Sequence, residues 1–109
     1  MANKFVNRQF SLTTTNPVSV YTCPAETVAM IKSVQVLNSS SGTVSVTASI
    51  TDNSSSTDFN FSKRTLATGT SSDLITGVKV FEENDILKIK SSHTSVITGT
   101  VAILEQDRT

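Results

Sequence analysis

Thr43-Val44-Ser45-Val46-Thr47-Ala48-Ser49-Ile50-Thr51 is the stretch from which the fold can be read. Val44, Val46, Ala48 and Ile50 fall on one side of an extended chain, and Ser45, Thr47, Ser49 and Thr51 on the other. Side chains of a strand point alternately to opposite faces, so this segment predicts one buried face and one hydroxyl-lined, wet face. Just upstream, Ser39-Ser40-Ser41-Gly42 supplies a reversal, and before it lies the longest strand candidate, Thr27 to Asn38. There Val28, Met30, Val34 and Val36 share one face and Ala29, Ile31 and Leu37 the other. Apolar groups on both sides predict a central strand covered twice.

The same short period runs outward in both directions. Val18, Val20 and Thr22 alternate with Ser19 and Tyr21 ahead of a turn at Cys23-Pro24-Ala25-Glu26, where proline presets φ. The opening residues 2–15 are polar apart from Ala2, Phe5, Val6, Phe10 and Leu12. Downstream, a polar loop at residues 52–57 precedes Phe59 and Phe61, then Lys63, Arg64 and Leu66. Residues 67–72 read as a loop around Gly69, and Leu74 and Ile75 as a short strand broken by Gly77. Val78 and Val80 lead to a turn at Glu82-Glu83-Asn84-Asp85. Leu87 and Ile89 then oppose Lys88 and Lys90, and after a turn at residues 91–95, Ile97, Val101 and Ile103 run into a polar tail at residues 105–109. About eight strands with turns at this spacing predict an all-β, single-domain antiparallel β-sandwich, jelly-roll-like. The division expected is an N-terminal arm or first strand at residues 1–14 and the sandwich at 15–109.

Composition agrees. The 109 residues include 17 Ser, 17 Thr, 12 Val and 7 Ile, and β-branched side chains favour a pleated surface over helix. Nine basic and nine acidic residues balance, which argues against a nucleic-acid partner, since displacing counterions from phosphates needs a net basic face. No apolar run approaches the roughly 20 residues of a membrane span, and the first residues lack the apolar stretch of a secretory signal, so no membrane partner is expected. With six aromatic residues the core has little margin, and burial against neighbouring subunits would help.

Reactive side chains are few. One Cys and one His make a structural zinc site and an intramolecular disulfide unattractive, and the lone thiol suits a reducing compartment. His93 lies in Ser-Ser-His-Thr-Ser with no Gly-x-Ser-x-Gly elbow, so it reads as a solvated loop residue. Cys23 has no basic neighbour to stabilise a thiolate and reads as a small buried apolar group. Glu82, Glu83 and Asp85, like Asp52, Asn53 and Asp58, lack the spacing of a calcium loop. The Asn-x-Ser triplets beginning at Asn38, Asn53 and Asn60 follow from the serine content. No catalytic, cofactor-binding or metal residues are assigned. The expected contact residues are Phe5 and Val6 near the start, and Lys63, Arg64, Lys88 and Lys90, which either meet an acidic surface or discourage edge-to-edge pairing.

One longer stretch carries a resemblance. Val20-Tyr21-Thr22-Cys23-Pro24-Ala25-Glu26-Thr27-Val28-Ala29-Met30-Ile31-Lys32-Ser33-Val34-Gln35-Val36-Leu37-Asn38 resembles a pattern of small β-sandwich virion structural proteins of tailed phages, roughly V-Y-T-x-P-A-x-T-x-A-x-I-x-S-I-x-V-x-N. Thr43 to Asp52 looks like the strand that follows it there, and Val80 to Lys88 looks like their L-x-x-G-D-x-L hairpin, with Asn84 in place of glycine. Asparagine tolerates the left-handed conformation such a turn needs. The resemblance spans about residues 18–104. It implies a non-enzymatic particle component without cofactors: a head-decoration (cement) protein first, a neck or tail subunit (adaptor, collar or tail tip) second. It implies a homo-oligomer, with a trimer as one form, partnered by capsid or neck and tail proteins in a virion assembled in the host cytoplasm. A carbohydrate- or host-receptor-binding module is the contrasting reading, weakened by the absence of Trp and a single Tyr.

Overall fold

The alternation around Val44 forms as expected and sits at the centre of a nest of antiparallel pairs. The computed structural model describes residues 3–75 and 77–107. Its nine strands are β1 (Asn3–Leu12), β2 (Val18–Thr22), β3 (Thr27–Asn38), β4 (Val44–Asp52), β5 (Thr57–Leu66), β6 (Ser71–Asp73), β7 (Lys79–Phe81), β8 (Ile86–Ser91) and β9 (Ile97–Asp107). The chain folds back on itself at the turn after Asp52. There β4 pairs with β5, β3 with β6 and β7, β2 with β8, and β1 with β9, all antiparallel. Rolled up, this long hairpin delivers alternate pairs to opposite layers: β1-β9-β3-β6, with β7 also on β3, and β2-β8-β4-β5. That is a jelly roll. Because β6 and β7 lie end to end along β3, the nine strands occupy eight positions, the number the turn spacing predicted.

Between the layers lie Leu12, Ile31, Val34, Val36, Val46, Leu87, Ile89, Ile97, Val101 and Ile103, all fully or almost fully buried. Sheets that pack face to face bury alternate residues of each strand, which is why the two-residue period was so legible.

β3 departs from expectation. Its partner register on β9 slips between Ile31 and Ser33, leaving Lys32 as an extra residue. A bulge of this kind switches the phase of the alternation. Ala29 and Ile31 before it, and Val34 and Val36 after it, all face the core. The strand is therefore central in its sheet but covered on one face only, with Val28, Met30 and Leu37 on the outer side. Asp73 stitches the site from β6: its Oδ1 accepts from the amides of Val34 (3.1 Å) and Ile75 (2.9 Å), and the Leu74 amide donates to Val34 O at 2.8 Å.

Three further boundaries are corrected. Leu74 and Ile75 are buried but belong to the crossing between β6 and β7, while Ser71 and Ser72, expected in a loop, begin β6. Ser49 lies on the outer face, as expected, but is covered there between its neighbours where the β4–β5 register shifts. The polar tail at 105–109 is strand through Asp107, and Glu105 is buried; Arg108 and Thr109 lie outside the described residues. The opening segment is a first strand, paired with β9 from Asn3↔Gln106 to Leu12↔Ile97, and Met1 and Ala2 lie outside the described residues.

Candidate functional site

His93 lies in an exposed turn, whereas the buried Cys23 thiol lies near Asp85 and near Glu105, which accepts from Tyr21. His93 is exposed; its Nδ1 lies 3.0 Å from Ser92 Oγ, and among the described residues no carboxylate bonds to it. Ser91, two residues earlier, binds the backbone instead, donating to His93 O at 2.8 Å. A nucleophile–base–acid relay is therefore not assembled here. Cys23 is fully buried and directs its thiol at Thr27 O (3.3 Å). Burial, followed by the nearby Glu105 and Asp85 charges, pushes that thiol up to about 11, which holds it in the unreactive form at neutral pH.

Several of the acidic residues serve the backbone. Asp85 is buried, accepting the Asn53 amide on Oδ1 (3.0 Å) and the Glu82 amide on Oδ2 (2.9 Å). The Asn84 amide donates to Cys23 O at 2.8 Å, and Asn84 adopts φ 67°, the left-handed turn for which asparagine was read. Glu83 accepts from the amide of Glu26, itself at φ 57°. The Asp52 carboxyl is held below its ordinary range by hydrogen bonds from Ser54, and that of Asp58 by Thr51 first, with Lys88 adding charge. Among the described residues no group of three or more His, Cys, Asp or Glu side chains is placed to hold a metal ion. Asn38 is buried; its Nδ2 donates to Gly42 O (2.8 Å) and Leu66 O (2.9 Å), so its sequon is closed to a glycan in the folded chain.

What the fold does assemble is two broad sheet faces of different chemistry. On the outside of the β2-β8-β4-β5 sheet, Thr47 is paired with Lys63 of β5 on one side and with Lys90 of β8 on the other. One row along, Ser49 lies between Asn60 and Lys88. Lys88 meets Asp58 at 3.6 Å, while Lys63 and Lys90 make no ion pair with the described residues. Between them runs an open groove of about 480 Å³ lined by Thr47, Asn60, Phe61, Ser62, Lys63 and Lys90. Three of the expected contact residues, Lys63, Lys88 and Lys90, are thus brought onto one face. Arg64 is not among them: it pairs with the core residue Val46, on the opposite phase of edge strand β5, and is exposed there.

On the outside of the other sheet, Phe5, Leu104, Met30 and Val80 form one cross-strand row over β1, β9, β3 and β7. Phe5 is 81% exposed and Val80 60%. Val6 is on the other side of β1, 8% exposed and packed in the core, so it is a structural residue and not a surface one. The sequence reading named Phe5 but missed Leu104, Met30 and Val80. Their common row depends on register between strands far apart in the chain, for which a single sequence carries no signal.

No family model and no curated protein matches this chain. Among solved structures it is similar to a protein of the disulfide-linked pili of Bacillus endospore appendages, at 13% identity and TM-score 0.56 over 95% of this chain and 84% of that one. It is similar also to the Eiger TNF of S. frugiperda (9%, TM-score 0.51, covering 96% and 94%). A third likeness is to a chain of the T13 particle of the virus IBDV (12%, TM-score 0.51), of which it covers 31% while 97% of this chain is matched. The shared property is the jelly-roll sandwich. At these identities the likeness is one of fold, and function lives in the surfaces each chain builds on it.

Proposed function

We propose that this chain is a non-enzymatic structural subunit of a phage virion, a decoration protein that cements the head. The observation that carries the reading is the lysine-bearing face, where the β5–β4–β8 register sets Lys63, Lys90 and Lys88 among hydroxyls on one side of the sheet. Such a face suits docking on an acidic shell, with two of its three ammonium groups free of partners among the described residues. Among the described residues His93 is bonded to no carboxylate, and the Cys23 thiol near Glu105 and Asp85 is buried and held protonated, which supports the non-enzymatic reading. The stretch from Val20 to Asn38 and the turn around Asn84 supply the phage resemblance, and the same fold occurs in a pilus and in a viral particle. Each contact need only be modest, since many copies on one shell multiply their effect, and a subunit that binds only the assembled state stabilises it by mass action.

Shells purified without the protein and then supplied with it should gain resistance to heat. A Lys63→Glu, Lys90→Glu double variant should restore little, and salt should weaken the wild-type binding. Shell stability that does not change on addition would overturn cementing. A copy number of hundreds per particle supports the head; about a dozen or fewer moves the chain to the neck or tail, where the same face would serve as an adaptor contact.

A further inference from the structure

We infer that the outer face of the β1-β9-β3-β7 sheet is where two copies of this chain pack against each other. The apolar row Phe5, Leu104, Met30 and Val80 crosses that face one row in from its Asn3–Gln106–Val28 end. Around it the surface is nearly free of charge. The outward positions of β1 from Asn3 to Ser11 and of β9 from Thr98 to Gln106 carry amides, hydroxyls and apolar groups only; β3 adds the single ammonium of Lys32 at its bulge, and the adjoining β6 the carboxylate of Asp73, which is engaged by the amides of Val34 and Ile75.

That neutrality selects the occupant. A pair of copies related by a twofold axis presents the same patch to itself, so the patch must be self-compatible. The lysine face fails this condition, because Lys63, Lys88 and Lys90 of one copy would confront their own counterparts. The neutral face meets it. With the axis lying along the strands between β9 and β3, Phe5 of one copy falls over Val80 of the other and Leu104 over Met30, a large side chain against a smaller one at each end. Three strands about 4.8 Å apart and some ten residues long, with the three-residue β7 beside them, present about 500 Å² per copy, or about 1,000 Å² for the pair, the area a specific interface should clear. A domain with six aromatic residues also gains core in this way, the β1-β9-β3-β7 sheet of each copy then being covered on its second side.

The inference concerns the purified chain and holds whether or not that chain belongs to a virion, so loss of shell binding and loss of self-association are read separately. Sedimentation equilibrium on the full chain, at concentrations up to about 500 μM, should report a dimer with micromolar or tighter affinity. Val80→Lys, at an exposed site that folding does not need, should give a monomer with unchanged circular dichroism and melting temperature. Lys90→Glu should remain dimeric. Mixing Phe5→Cys chains with Val80→Cys chains under oxidising conditions should yield the mixed disulfide in excess of either homodimer. A wild-type chain that stays monomeric throughout this range overturns the inference. So does a dimer that survives both Val80→Lys and Leu104→Lys, and a mixture that cross-links only like with like overturns the proposed axis.

Discussion

Gly99 lies where β1, β9 and β3 converge, opposite Phe10 on one side and Val36 on the other. A β-carbon built there would stand 2.5 Å from Phe10 Cζ and 2.6 Å from the carbonyl oxygen of Gln35. The aromatic ring could turn aside, but the carbonyl belongs to the sheet backbone and cannot move without disturbing its pairing. Glycine is therefore required by close approach and not by turn geometry. Gly99→Ala should lower stability by about 1–3 kcal/mol through overpacking, read as a fall in the urea midpoint at constant slope. Phe10→Ala in the same background should recover part of that loss by vacating the ring's position, whereas an additive pair would exclude steric conflict with Phe10.

At the scale of the element, β3 shows what one extra residue does. Lys32 sets the phase of the strand, so that Ile31 and Val34, an odd number of positions apart, share the core. Deleting Lys32 would turn Val34, Val36 and Asn38 to the outside and separate Val34 from the Asp73 carboxylate. The expected result is a chain without a cooperative unfolding transition, whereas Lys32→Ala, which keeps the residue count, should unfold within about 0.5 kcal/mol of wild type. This strand also marks the limit of the sequence. Around Val44 only one side is apolar, and the pattern reads without ambiguity. Along residues 28–37 both sides are apolar, so a change of phase looks the same as a strand covered twice. The left-handed turn at Asn84 was legible because few residues tolerate it, but the burial of Glu105 was hidden, because a lone acid near a polar tail gives no hint of a partner 84 positions away. Likewise the lysines were visible one by one, while their gathering on one face is a property of the β5–β4–β8 register.

Across the whole molecule, the two layers are tied at one end by buried ionisable groups. Tyr21 of one sheet donates to Glu105 Oε2 of the other at 2.5 Å, with the Cys23 thiol close by. Burial, and then the Glu105 bond, raises the Tyr21 phenol far above its usual 10.0, while Cys23 rises from 9.0 to about 11. Below pH 9 native and unfolded chains both hold these protons. As pH climbs from 9 towards 11 the unfolded chain releases the thiol proton and, from 10, the phenolic one, while the native state keeps them. The unfolded state is then favoured, and stability falls. Melting temperature should accordingly decline above pH 9, with a shallower slope for Cys23→Ala; a slope unaltered by that substitution would remove the thiol from the account.

The nested pairing has a consequence in time. The row that begins at Phe5 is completed at Leu104, so one half of it, Phe5 and Leu104, belongs to the outermost pair of the nest, and the other, Met30 and Val80, to the β3–β7 pair. A ribosome-bound chain that has not yet emitted residue 104 carries no such stripe, and a chain closed only at its innermost hairpin carries none either. Recognition of one copy by another is thereby postponed until each has finished its own topology, which keeps half-made molecules from sticking through the surface meant for mature ones.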